Sequence, residues 1–96
     1  MNSWYVYLLE CADKSLYCGI TTSLTRRLDE HNTSDKGAKY TRKRRPVKLV
    51  WSKEVKDRSE ASKEEARIKK LTRKEKLQLV STHQTSFVYA MIKTKK

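Results

Sequence analysis

Three phenols, one arginine–histidine pair, two glutamates and a basic loop are the groups in this chain whose types and spacing could do chemistry. Tyr5 and Tyr7 stand two apart in the run Trp4-Tyr5-Val6-Tyr7-Leu8-Leu9. On an extended strand they share one face, and Val6 and Leu8 take the other. Tyr17 follows in a second short run. Arg27 and His31 are four apart, hence neighbours on one side of a helix. Glu64 and Glu65 flank an apolar helical stripe, where a carboxylate is uncommon unless it is paired or holds a metal. Lys36, Lys39, Arg42, Lys43, Arg44 and Arg45 surround Tyr40, with Thr33, Ser34 and Thr41 between them. Cations interleaved with hydroxyls and an aromatic ring suit phosphate contacts and base stacking. Each group also has a plainer explanation. Tyrosine is a good strand residue, an arginine and a histidine can border a leucine stripe, and a glutamate can pair with Lys69 or a sheet cation.

The charge balance favours the phosphate reading. The chain has 96 residues and a net charge of +12. Such a charge repels itself in the compact state, and a polyanion is the simplest partner that relieves it. Nucleic acid comes first, then an anionic membrane surface, then solubility alone. No apolar run approaches the roughly 20 residues that a membrane span requires. The N-terminus carries no basic segment followed by an apolar one, so no signal peptide is read and a cytoplasmic protein is expected. Cys11 and Cys18 match no zinc spacing, His31 and His83 do not complete one, and both thiols are read as packing residues.

The elements that must position these groups can be read in order. Trp4–Leu9 and Leu16–Cys18, joined by a turn at 12–15 and stopped by Gly19, predict a hairpin. Thr21, Thr22 or Ser23 can cap a helix that carries Leu24, Leu28 and His31 at helical spacing and ends near Asn32. Residues 33–46 read as a loop punctuated by Gly37 and Pro46. A third strand runs from Val47 to Val55. Asp57 and Glu60 open a helix with an inner face of Ala61, Ile68 and Leu71. Thr72 and Glu75 repeat the capping pattern before a last helix through Val80. The fold class expected is α/β (α+β), a small three-stranded antiparallel sheet flanked by helices. One domain is expected over residues 1–80, with residues 81–96 as a tail. In that tail 87–92 is apolar enough to dock, and 93–96 is a basic end.

This ordered set resembles the GIY-YIG nuclease superfamily. Tyr5-Val6-Tyr7 stands where that family has its first tripeptide, and Tyr17-Cys18-Gly19 matches the second. Arg27 follows Gly19 at the family's usual distance, His31 lies one helical turn on, and Glu65 precedes Lys69 by four. The stretch 36–46 and Asp57-Arg58-Ser59 are similar to the small single-domain bacterial branch. Tyr5 replaces the first glycine, Cys18 the central isoleucine, and Ile20 stands where some relatives carry a lysine.

The resemblance implies a metal-dependent endonuclease that hydrolyses phosphodiester bonds in DNA, more readily than in RNA, with repair or processing of structured DNA as the setting. It implies Tyr7, Tyr17, Arg27, His31 and Glu65 as catalytic residues, and Glu65 as the ligand of Mg2+ or Mn2+. Either Tyr7 or Tyr17 could be the base. Glu65 is one turn from Ala61 and nearly one turn from Ile68, so it is expected to reach the tyrosine-bearing side of the hairpin; by angle alone Glu64 lies as close to the apolar stripe, and the resemblance selects Glu65. Lys36, Lys39, Tyr40, Arg42, Arg44 and Arg45 are the nucleic-acid-binding set. The alternative is a catalytically weak nucleic-acid-binding module on the same fold.

Overall fold

The computed structural model describes residues 3–83. The apolar segment and basic end expected within the tail lie outside them.

The hairpin forms as the sequence suggests. β1 (Trp4–Glu10) pairs antiparallel with β2 (Leu16–Thr21), and Tyr7 faces Gly19 in the ladder. Asp13 holds the turn by accepting from the Ser15 amide at 3.0 Å and the Ser15 hydroxyl at 2.6 Å. Contrary to expectation, β2 runs through Gly19 instead of stopping there. Glycine in a strand marks a close approach, and here the approaching group is the ring of Tyr7. β3 (Lys48–Val55) pairs antiparallel with the other edge of β1, giving the order β2-β1-β3. The register slips between Leu8 and Leu9, so Leu8 faces Trp51 and Leu9 faces Leu49. Val50 is the extra residue of this bulge, and both Val50 and Trp51 join one core while Leu49 packs on the other.

The strand alternation divides the interior in two. Val6, Leu8, Cys18, Val50 and Trp51 pack against Ala61 and Ile68 of α3 (Arg58–Lys69), with Leu79 and Val80 of α4 (Arg73–His83) alongside. Tyr7, Leu9, Cys11 and Val47 form the second cluster, covered by Leu24 and Leu28 of α1 (Leu24–Thr33). Ile68 is fully buried, so truncating it to Ala is expected to cost about 2–5 kcal/mol.

Side-chain caps set the helix ends. Ser23, of the three candidates, caps α1 through the Arg26 amide at 3.3 Å. Asp57 caps α3 through the Glu60 amide at 2.9 Å. Before α4, the Thr72 hydroxyl accepts from the Glu75 amide at 3.1 Å, and the Glu75 carboxylate accepts from the Thr72 amide at 2.9 Å. Each cap is worth about 1 kcal/mol. α4 continues to His83, beyond the expected boundary at residue 80. The loop expected over 33–46 contains a single helical turn, α2 (Lys39–Arg42). Asn32, at the end of α1 as expected, also ties that end to Val47, the residue before β3. Its side chain accepts from the Val47 amide at 2.7 Å and donates to the Val47 carbonyl at 3.0 Å.

Candidate active site

The second cluster holds the chemistry. A Cβ built on Gly19 would fall on the Tyr7 hydroxyl and within 2.6 Å of its Cζ. The missing side chain therefore lets the Tyr7 ring lean over β2. From there its Oη meets His31 Nε2 at 2.9 Å. His31 is wholly buried on the inner side of α1. Its other ring nitrogen, Nδ1, lies 3.0 Å from Thr41 Oγ1 and receives the Ala38 amide at 3.2 Å. The Thr41 hydroxyl also lies 2.8 Å from the Ala38 carbonyl, a second acceptor within reach of its one proton. Gly37 makes this arrangement possible, because a Cβ there would lie 2.6 Å from the Glu30 carbonyl and 2.8 Å from His31 Cα.

Ring contacts extend the cluster. Tyr17 sits edge-on to His31 with centroids 5.3 Å apart and stacks on Tyr40 at 5.8 Å. The Arg44 guanidinium lies 3.9 Å from the Tyr40 ring centre. Tyr7, His31, Tyr17, Tyr40 and Arg44 thus form one continuous series, although they come from five different positions along the chain.

Arg27 closes the site from α1. Its Nη1 donates to Glu30 Oε1 and to the Lys36 carbonyl, both at 2.8 Å. Burial pushes the Tyr7 phenol up to about 12, against the opposing hydrogen bond and charge of Arg27. Burial, followed by the charges of Arg27 and Arg45, brings His31 down to about 4, so its imidazole is neutral at physiological pH.

The basic loop is more internal than its composition suggests. Arg45 donates to the His31 carbonyl and the Ser34 carbonyl, each at 2.6 Å, and so satisfies the open C-terminal end of α1. Arg44 pairs with Asp13 at 3.0 Å and donates to the Tyr40 carbonyl at 2.9 Å. Arg42 reaches the Asp35 carbonyl at 3.3 Å. Lys36, Lys39, Arg42 and Tyr40 remain exposed.

The structure does not bring Glu65 to the same face as the tyrosines. α3 packs on the Val6, Leu8 and Cys18 side of the sheet, whereas Tyr7 and Tyr17 face α1. The expectation that Glu65 reaches the tyrosine-bearing side is therefore corrected, because strand alternation separates the two. Glu65 lies beside edge strand β2. The Cys18 thiol there is pushed up to about 12, first by burial and then by the Glu65 charge. The two candidate glutamates differ in their partners. Glu64 is gripped by Arg67 through two hydrogen bonds of 3.1 and 2.6 Å and by Lys53 at 3.4 Å. Glu65 pairs with Lys69 at 3.3 Å. Among the described residues no group of three or more His, Cys, Asp or Glu could hold a metal ion. A donor set of one accessible carboxylate fits Mg2+, which keeps several waters and takes its remaining ligands from substrate phosphate.

Sequence reasoning missed Thr41, the Ala38 amide, and the part played by Gly19. Neither a period nor a motif links Thr41 to His31, because a loop separates them. An internal glycine in a strand was the available signal for the close approach.

Tyr7 on central strand β1 and Tyr17 on edge strand β2 thus stand over the helix that carries Arg27 and His31. The GIY-YIG catalytic domain model matches residues 3–78, and the chain belongs to that family. Its relatives include the UPF0213 protein DP2720 of Desulfotalea psychrophila, 53% identical over 85 residues, which cover 88% of this chain and 77% of that protein. A UPF0213 protein of Syntrophus aciditrophicus is 55% identical over 80 residues, covering 83% and 92%. Two solution structures are similar. One is the UPF0213 protein BH0048 of Bacillus halodurans, with TM-score 0.54, 49% identity and 85% of each chain covered. The other is EF2693 of E. faecalis, with TM-score 0.59, 52% identity, and 85% and 86% covered. Family membership makes the activity class that of a nuclease-type hydrolase acting on nucleic acid.

Proposed function

We propose that this protein is a divalent-metal-dependent endonuclease that cuts structured DNA in preference to RNA, in the repair or processing of DNA in the cytoplasm. The observation that carries the reading is the junction of Tyr7, His31 and Arg27, three groups on two elements, built around the space left by Gly19. Free buried thiols at Cys11 and Cys18 suit a reducing compartment.

In this reading Tyr7, as phenolate, orients a water and takes its proton as the oxygen attacks phosphorus. The bond from phosphorus to the departing sugar oxygen then breaks. Burial keeps the Tyr7 proton on in the free protein, and Arg27 pulls in the opposite direction. Arg27 also neutralises the charge that gathers on the phosphate oxygens in the transition state. Tyr17, edge-on to His31, flanks the same phosphate. Glu65 would hold Mg2+, which supplies charge neutralisation on the phosphate and the departing oxygen. Lys36, Lys39, Arg42 and Tyr40 form the exposed part of the DNA surface. Arg44 and Arg45 hold the loop that presents them.

One observation favours a second reading, a binding module that cuts weakly. Glu65 belongs to the helix packed on the opposite side of the sheet from Tyr7, so the two do not converge on one face. A Mg2+-dependent nicking assay on duplex, branched and single-stranded DNA and on RNA separates the readings. Cleavage of DNA that is lost in Glu65→Gln and kept in Glu64→Gln supports the enzyme. Tight binding with no cleavage of any substrate supports the module.

A further inference from the structure

We infer that Thr41, together with the backbone amide of Ala38, is a positioning residue that locks His31 in its Nε2–H form and so makes the Tyr7 oxygen the acceptor of the Tyr7–His31 bond. The inference rests on the nuclease reading for its effect on rate but not for its geometry.

An amide N–H can only donate. Ala38 N points at His31 Nδ1 from 3.2 Å, so Nδ1 must carry a lone pair, not a proton. The neutral ring then has its hydrogen on Nε2, and among the described residues the atom placed to receive it is Tyr7 Oη, at 2.9 Å. Thr41 holds this arrangement. Its amide donates to the Ala38 carbonyl at 3.0 Å and its hydroxyl lies 2.8 Å from the same oxygen, which fixes the residue that carries the donor. The same hydroxyl stands 3.0 Å from Nδ1, and in the Nε2–H ring it turns its one proton to that nitrogen while the Thr41 amide keeps the Ala38 carbonyl satisfied. Thr41 and His31 are both wholly buried, so water cannot substitute for either contact without a rearrangement.

The direction of the bond matters for the chemistry. Were Nε2 the acceptor, Tyr7 would spend its one proton on the helix. With Nε2–H as donor, Tyr7 keeps its own O–H free to point away from His31, and a phenolate at Tyr7 is stabilised by a hydrogen bond already in place. The charged and titratable groups around the ring are Tyr7, Tyr17, Arg27, Glu30 and Arg45. Both arginines oppose a second proton on the imidazole.

Nitrogen NMR of the His31 ring in the full chain tests the lock, alongside cleavage kinetics. The wild type is expected to show the Nε2–H tautomer. Thr41→Ser, which keeps the hydroxyl, should do the same and cut at close to the wild-type rate. Thr41→Val should show a mixture of tautomers, with kcat down about tenfold, the worth of one hydrogen bond, and KM unchanged. Thr41→Ala gives the same readouts if valine does not pack. An Nδ1–H tautomer in the wild type would overturn the inference, and so would Thr41→Val or Thr41→Ala with an unchanged ring signal and rate. If the unaltered protein cuts no substrate, the nuclease reading fails while the ring signal still decides the lock.

Discussion

The ring of Tyr7 lies across Gly19, its partner in the β1–β2 ladder, in the space a Cβ would occupy. Replacing that glycine therefore tests the site more than the strand. Gly19→Ala should displace the Tyr7 hydroxyl from His31 and reduce cleavage strongly. Overpacking of this kind costs about 1–3 kcal/mol of stability. Urea unfolding and a nicking assay measure the two effects. A Gly19→Ala variant of wild-type activity would mean that the Tyr7–His31 contact is dispensable.

Removing the phenol oxygens separates the two tyrosines. Tyr7→Phe keeps the ring and loses the atom bonded to His31, so kcat should fall by at least about a hundredfold, as expected for an acid–base group. Tyr17 makes ring contacts with His31 and Tyr40. Tyr17→Phe retains them and should fold normally with a smaller loss. Equal rates in both variants and the wild type would remove the phenols from the chemistry.

His31 gives stability a pH dependence of predictable sign. Its native pKa, near 4, is below the ordinary value of 6.5. Between those values the unfolded chain binds a proton that the native protein does not, so acid favours unfolding. The contribution is complete above about pH 6.5 and is lost as pH falls toward 4, by about 1.4 kcal/mol per unit. Denaturant midpoints from pH 7 to pH 4.5 should fall more steeply for the wild type than for His31→Gln. Parallel curves would contradict the assignment.

Arg45 and its exposed neighbours should behave differently on substitution. Lys36→Ala, Lys39→Ala and Arg42→Ala should each flatten the dependence of log K on log salt by about 0.9 for duplex DNA, with stability unchanged. Arg45→Ala leaves the Ser34 and His31 carbonyls without their donor. It should cost about 1–3 kcal/mol and leave the slope alone. A reduced slope in Arg45→Ala would return that residue to the binding surface.

Local chemistry in the chain was enough for the three strands and the three longer helices, though not for the α2 turn. Tyrosine and valine alternation marked β1, Leu24 and Leu28 marked α1, and Asp57 and Thr72 marked two helix starts, because each signal acts over a few residues. The shared face of Tyr5 and Tyr7 followed from strand geometry in the same way. The family motif, being local in each part, was also visible. What only the tertiary structure decided depends on which segments meet. Strand alternation alone could not say that α3 covers the Val6 side while α1 covers the Tyr7 side, and so left Glu65 on the wrong face. Composition made Arg45 a phosphate ligand, although the end of α1 needs its donors for exposed carbonyls. Thr41 looked like one more loop hydroxyl. Its place against His31 exists because Gly37 lets the loop close onto the helix backbone, a contact between segments whose separation has no period for a sequence to display.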